Sequence, residues 1–292
     1  MSGSFLARLP LSRSELDRDY LGRDDVQPIL ADPAARFIVL RDGLALMNGE
    51  AELAHLTRDE SPEHATAVYL GRTDIPWFAL VLHPDTAWEG EWGNLRRIGS
   101  RLGELDAGLF TQALAVANWH ASHAFSPVTG APTARVKGGW VLLDSSDGRE
   151  LYPRTDMAVI VGVVDAQERL LLGSNAAWES NRFSLLAGFV EPGESLEAAV
   201  AREVFEESGV RVSDPVYLGS QPWPFPASLM LGFMATATTS ELTPDGLEIL
   251  DLRWFSRDEL RDALPTILLP GPTSIARAII EEWYGGPLED QP

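Results

Sequence analysis

Cysteine is absent from the 292 residues, which removes disulfides, a thiolate nucleophile and any thiolate metal site together. Lysine is almost absent as well. Lys137 is the only one, and it follows Val136, so no Gly-Lys-Ser/Thr phosphate loop exists and P-loop ATPase or GTPase chemistry is excluded. Positive charge as a whole is scarce: 23 Lys and Arg face 43 Asp and Glu, a net charge of -20. That balance disfavours non-specific adhesion to nucleic acid or to an anionic membrane, both of which require a basic surface. A small anionic substrate stays compatible with it where a metal ion and local arginines offset the field. No apolar run approaches the ~20 residues that span a bilayer, and the opening MSGSFLARLPLSRSELDRDYLG lacks the apolar core of a secretory signal. The expectation is a cytoplasmic protein with no membrane partner.

What is present is ordinary in bulk. The chain is 45% hydrophobic with a mean hydropathy of -0.05, as in a globular protein of roughly two domains. Residues 1–123 read as an α+β domain. Arg36 to Met47 has two short strands around an Asp-Gly turn, Ala67 to Leu70 and Trp77 to Leu82 are further strands, and Ala107 to His123 has helical spacing. His120 and His123 lie i,i+3 with no third ligand nearby and read as capping or surface groups. Residues 124–151 form a connector that opens with the turn-rich SPVTGAPT, continues as a strand over Lys137 to Leu143, and turns again at Asp144 to Gly148. Residues 152–286 form a third segment. Its strands are Met157 to Val164, Arg169 to Leu172, Phe183 to Leu186, Val216 to Gly219, Leu229 to Ala237 and Leu252 to Phe255. Ser256 and Glu259 make a capping-box pattern, and Thr273 to Tyr284 is a last helix with Ile275, Ala278, Ile279 and Trp283 on its buried side. Mixed strands with one helix inserted after the third and another at the end predict an α/β sandwich.

The chain is organised around Gly188 to Val210, GFVEPGESLEAAVAREVFEESGV. Ser195 is placed as an N-cap, Glu197 suits the positive end of the helix dipole, and Gly209 suits the left-handed position past the end. At 3.6 residues per turn, Glu203, Glu206 and Glu207 continue the face that holds Leu196, Ala199 and Val200. A stripe that should stay apolar thus turns into three carboxylates with only Arg202 to offset them. Such a cluster calls for a hard divalent cation with oxygen ligands.

This stretch resembles the Nudix box, G-x5-E-x7-R-E-U-x-E-E-x-G-U, with Gly188, Glu194, Arg202, Glu203, Val204, Glu206, Glu207, Gly209 and Val210 at its nine defined positions. Ser220 to Ser228 reads SQPWPFPAS, similar to the signature of the bacterial NADH pyrophosphatase subfamily of that family. Pro222, Pro224 and Pro226 alternate with Trp223 and Phe225, which predicts a stiff, extended backbone that lacks three amide donors and presents two aromatic faces for a flat ring. Leu95 to Arg97, Trp119-His120 and Tyr152-Pro153-Arg154 resemble the same subfamily. The chain is thereby identified as a Nudix α/β/α sandwich with a mixed sheet, preceded by an α+β domain.

The resemblance implies hydrolysis of NADH and NAD⁺ to nicotinamide mononucleotide and AMP with Mg²⁺ or Mn²⁺, removal of NAD caps from RNA 5′ ends, and a homodimer. Within it, Glu203, Glu206 and Glu207 are the catalytic residues. The metal ligands are Glu203, Glu206, Glu207, Glu248 and the Ala187 carbonyl. Tyr152, Phe189, Gln221, Pro222, Trp223, Pro224, Phe225, Pro226, Ala227, Ser228 and Ala276 contact substrate, and Glu194 pairs with Arg202 to fix the loop. Within the class the alternatives are another dinucleotide such as ADP-ribose, or a catalytically silent nucleotide sensor. One departure is large. Subfamily members usually carry a four-cysteine zinc ribbon, and here Ser126, Thr129, Asp144 and Asp147 fall at those positions, so no zinc is expected.

Overall fold

The computed structural model describes residues 5–179 and 181–289. By its contacts the chain divides into two units. One comprises residues 10–155 with 222–227, and the other comprises the stretch up to Leu9, Asp156–Gln221 and the chain from Ser228 on.

The first unit contains α1 (Val26–Leu30), β1 (Arg36–Arg41), β2 (Leu44–Leu46), β3 (Thr66–Arg72), β4 (Pro76–Val81), β5 (Trp92–Asn94), α2 (Leu95–Ile98) and α3 (Glu104–Ser122). Its five-stranded sheet has the order β3-β4-β1-β2-β5. Asp42 and Gly43 turn β1 into β2 with φ of 51° and 77°, the geometry whose twist suits a two-residue hairpin. β1 is buried on both faces. Ile38 and Leu40 join the core beneath α3, whereas Phe37 and Val39 join a second cluster with Tyr69, Phe78 and Leu80, as the period of two requires.

Three further strands, β6 (Thr133–Val136), β7 (Val141–Asp144) and β8 (Glu150–Leu151), form an antiparallel sheet in the connector. The strand expected from Lys137 starts at Val141 instead. Lys137, Gly138 and Gly139 have φ of 49°, 63° and 92°, and that left-handed run cannot continue an extended ladder. His120 differs from its reading as a surface group. It is buried, and its Nε2 lies 2.7 Å from the Gly139 carbonyl oxygen. Burial holds it neutral, with its pKa pushed down to about 4.

Three of the positions expected to match zinc-ribbon cysteines, Ser126, Thr129 and Asp144, belong to a hydrogen-bonded turn. Thr129 Oγ1, Ser146 Oγ and the Ser126 hydroxyl all donate to the Asp144 carboxylate. Those donors hold Asp144 well below the usual carboxylate range, Ser146 contributing most. Ser126 Oγ also accepts from the amides of Val128 and Thr129. Asp147 accepts from the Arg149 amide and stays outside the knot.

The second unit is the sandwich. It contains β9 (Asp156–Val164), β10 (Leu170–Asn175), β11 (Leu186–Phe189), α4 (Leu196–Ser208), β12 (Val212–Trp223), β13 (Ser228–Ala237), β14 (Ile249–Phe255), α5 (Arg257–Ala263) and α6 (Ile275–Tyr284). The sheet order is β12-β13-β9-β10-β14, with β11 also on β9. It is mixed, because β9 runs parallel to β13 and antiparallel to β11. Val159, Val161 and Val163 pack with Ala199, Val200 and Val204 of α4, and Ile160 packs with Ile275 and Ile279 of α6. Alternation along one strand therefore places a helix on each face. Ser195 accepts from the Ala198 amide, Gly209 closes α4 at φ 72°, and Ser256 with Glu259 forms a full capping box. Leu9 is buried in the α6 cluster, and Arg8 donates to the Ala278 carbonyl.

The SQPWPFPAS segment is a hairpin and not an extended run. β12 continues to Trp223, residues 224–227 turn with a cis Phe225–Pro226 peptide, and β13 begins at Ser228. No helix among the described residues is long and apolar enough to cross a membrane.

Candidate active site

The site lies in the second unit, where α4 faces β9 and β11. Arg202 organises it. Its guanidinium donates twice to Glu194, at 2.9 and 2.8 Å, and also to Glu203 at 2.8 Å, Glu206 at 3.0 Å and the Phe189 carbonyl at 2.9 Å. Five acceptors around one planar cation lock the loop before α4 onto the helix. Glu194 also accepts from the Glu191 amide. The expected Glu194–Arg202 pair is thus present and bidentate.

Gly188 is fixed by a close approach. A Cβ at this position would lie 2.1 Å from the Glu203 carboxyl carbon, so only glycine lets that carboxylate lie across β11. Glu203 thereby faces a cleft of about 460 Å³ lined also by Ala187, Phe189, Glu207, Ser228 and Glu248. Burial pushes the Glu203 carboxyl up, with Arg202 opposing the rise.

Glu207 is the most perturbed acid of the group. It is 6% exposed, and its Oε2 is buried with no hydrogen-bond donor. Burial pushes its pKa up to about 8, with Glu248 and Glu203 adding to the rise. Glu248 is presented by the loop before β14. Asp245 accepts three backbone amides there, from Leu247, Glu248 and Ile249, and Asn175 Nδ2 donates to Glu248 at 3.1 Å. Asp245 and Asn175 went unread in the sequence, since neither belongs to a recognisable pattern.

These groups suit a hard cation. An orphaned buried carboxylate oxygen on Glu207, with the Glu203 and Glu248 carboxylates on the same cleft, is the donor set of an oxygen-ligated divalent ion. Among the described residues no three acidic or imidazole side chains already stand gathered as a ligand cluster.

Two expectations about the helix change. Only Glu207 lies on the buried line of Ala199, Val200 and Val204. Glu206 is exposed, paired to Arg202 and outside the cleft lining, because it lies about 100° around the helix from Glu207 and one turn beyond Arg202. The structure brings Ala187, Phe189, Glu203, Glu207, Ser228 and Glu248 to one cleft. The other expected residues are not among its lining. Ala276 is buried in the first turn of α6. Gln221 is buried and donates to the Thr273 carbonyl. Tyr152 and Pro222, Trp223, Pro224, Phe225, Pro226 and Ala227 belong to the first unit, where Tyr152 is exposed and its hydroxyl donates to Glu150.

Comparison with known proteins gives the family. Residues 153–275 match the NUDIX domain model, and residues 34–119 match the model of the NADH pyrophosphatase-like rudimentary NUDIX domain. The chain is 42% identical over 264 residues to the NAD-capped RNA hydrolase NudC of Mycobacterium bovis, covering 84% of this chain and 82% of that protein. It is 39% identical to the NAD-capped RNA hydrolase NUDT12 of Macaca fascicularis, covering 93% of this chain and 72% of that one. Among solved structures, a NUDIX hydrolase from Nitrosomonas europaea is similar at 22% identity and a TM-score of 0.46, over 56% of this chain and 94% of that one. The chain belongs to the Nudix hydrolases, in the branch that carries an NADH pyrophosphatase-like N-terminal domain. It is an enzyme of the hydrolase class, and Nudix hydrolases work with divalent metal ions.

Proposed function

We propose that this enzyme cleaves the pyrophosphate bond of NADH and NAD⁺ to give nicotinamide mononucleotide and AMP, and that it also removes NAD caps from RNA 5′ ends. The orphaned, buried Glu207 oxygen beside Glu203 and Glu248 carries the reading, and the 42% identity to a protein named for NAD-capped RNA hydrolysis supports the substrate. Glu203, Glu207 and Glu248 would hold the ion, with Mg²⁺ or Mn²⁺ as the species that suits oxygen donors. When bound, it offsets the phosphate charge and acidifies a water molecule.

The chain's own residues do the rest. Arg202 fixes the angle of Glu203 and ties the 189–194 loop to α4. Phe189 offers an exposed ring at the cleft wall. Gln221 to Ser228 supplies nucleotide recognition through its proline-stiffened hairpin. A net charge of -20 favours reading of the cap itself over the RNA body. The active form is a homodimer.

Incubating the purified chain with NADH and Mn²⁺ and identifying products by mass spectrometry tests the proposal. Nicotinamide mononucleotide and AMP are expected in equal amounts, at higher kcat/KM than the products of ADP-ribose. Absence of AMP release with either metal would overturn it.

A further inference from the structure

The turn of the SQPWPFPAS hairpin has few amide donors. Pro222, Pro224 and Pro226 have no amide donor, and Phe225 spends its own on the Trp223 carbonyl at 2.7 Å. The carbonyls of Pro224 and Pro226 are satisfied by one side chain from the N-terminal unit. Asn118 Nδ2, near the end of α3, donates to Pro224 at 2.9 Å and to Pro226 at 3.0 Å. A primary amide has two donors, and both go to the turn. A second grip comes from α2. The Arg96 guanidinium lies 4.3 Å from the Phe225 ring centre and 5.4 Å from that of Trp223, and the two rings meet edge to face at 4.9 Å. Asn94 caps α2 by accepting from the Arg96 amide, which fixes the helix that carries this cation. No carboxylate pairs with Arg96 among the described residues, so the aromatic pair is its contact. Trp223 and Phe225 pack against the core of the first unit, within which residues 222–227 are counted.

We propose that Asn118 and Arg96 are positioning residues for substrate selectivity, and that holding this turn is a task of the rudimentary N-terminal domain. Neither acts on the reacting atoms. Asn118 sets the turn backbone through two carbonyls, and Arg96 sets the attitude of the two rings. Ser228, next in sequence after the turn, lines the carboxylate cleft. The inference rests on the reading that Gln221 to Ser228 recognises the nucleotide.

Steady-state kinetics of the full chain with NADH and with ADP-ribose test it, using Asn118→Ala, Asn118→Asp and Arg96→Ala, with Trp223→Ala as control. Asn118→Asp keeps the shape and loses both donors. All three positioning variants are expected to raise KM for NADH about tenfold and to lower the NADH over ADP-ribose preference by a similar factor, with kcat held within about twofold. A fall in kcat with unchanged KM and a lower melting temperature would mark Asn118 as merely structural and overturn the proposal. So would an Asn118→Asp variant with wild-type KM. If Trp223→Ala raises KM while the three positioning variants do not, the positioning inference alone fails. If Trp223→Ala is also silent, the nucleotide reading of the hairpin fails with it.

Discussion

Replacing Glu207 with glutamine should make the metal-free protein more stable and the enzyme inactive. The magnitude follows from the burial of this side chain. Its carboxyl moves from the usual 4.5 to about 8 on folding, and each pH unit of displacement corresponds to ~1.36 kcal/mol. The folded state therefore holds a proton that the unfolded chain releases. Stability linked to this group is full below about 4.5 and is lost as pH rises through about 8. At pH 9 the loss amounts to roughly 3–5 kcal/mol, and roughly half of it is already present at pH 6. Glutamine keeps the shape of the protonated acid and never ionises. In chelator, the stability gap between Glu207→Gln and wild type should widen by roughly 2–3 kcal/mol from pH 6 to pH 9, read from urea unfolding at each pH. Carboxylates remote from the cleft titrate alike in both proteins and cancel in that difference, whereas Glu203 and Glu248, which face Glu207, respond to its charge. Mn²⁺ should then raise the melting temperature of wild type strongly and of the variant little, because the ion replaces the proton as the partner of Glu207. A gap that stays constant or narrows with pH would refute the placement of Glu207 as a buried acid with one undonated oxygen. Full activity in the variant would refute its role in holding metal.

Gly188→Ala should lower kcat at least about tenfold and weaken Mn²⁺ binding, measured by titration, because its Cβ would lie 2.1 Å from the Glu203 carboxyl carbon and force that carboxylate aside. A variant with wild-type metal affinity would show that Glu203 is free to relocate. Asp144→Ala should lower the melting temperature by leaving the hydroxyls of Ser126, Thr129 and Ser146 without their shared acceptor. The Asp144 carboxyl is held low in the folded chain, so its contribution is present above the usual carboxylate range and is lost as pH falls below it. Wild type and Asp144→Ala should thus converge in stability in acid, and added zinc should restore neither.

What could be read from sequence was local. Ser195, Gly209 and the Ser256–Glu259 box act within four residues of where they stand, so each cap was visible before any fold was known. The Glu194–Arg202 pair, eight residues apart, was reachable because a helix and a tight loop fix the span. The periodicity of β9 and α6 likewise named the faces that build the sandwich. Reading failed where the partner is distant in sequence or where one helical step decides the outcome. Glu206 and Glu207 are neighbours in the box, and the 100° between them separates an exposed ion pair from a buried acid. Asn118 and Pro224 lie 106 residues apart, and nothing near an asparagine late in a helix announces two proline carbonyls. The connector makes the same point through chemistry. Serine, threonine and aspartate in a turn are unremarkable as letters, and a polar loop is their ordinary reading. Only when Ser126, Thr129 and Ser146 converge on one carboxylate do they become a cross-linked turn. Each donor bonded to an ionised acceptor in partial shelter is among the stronger cross-links available without a covalent bond.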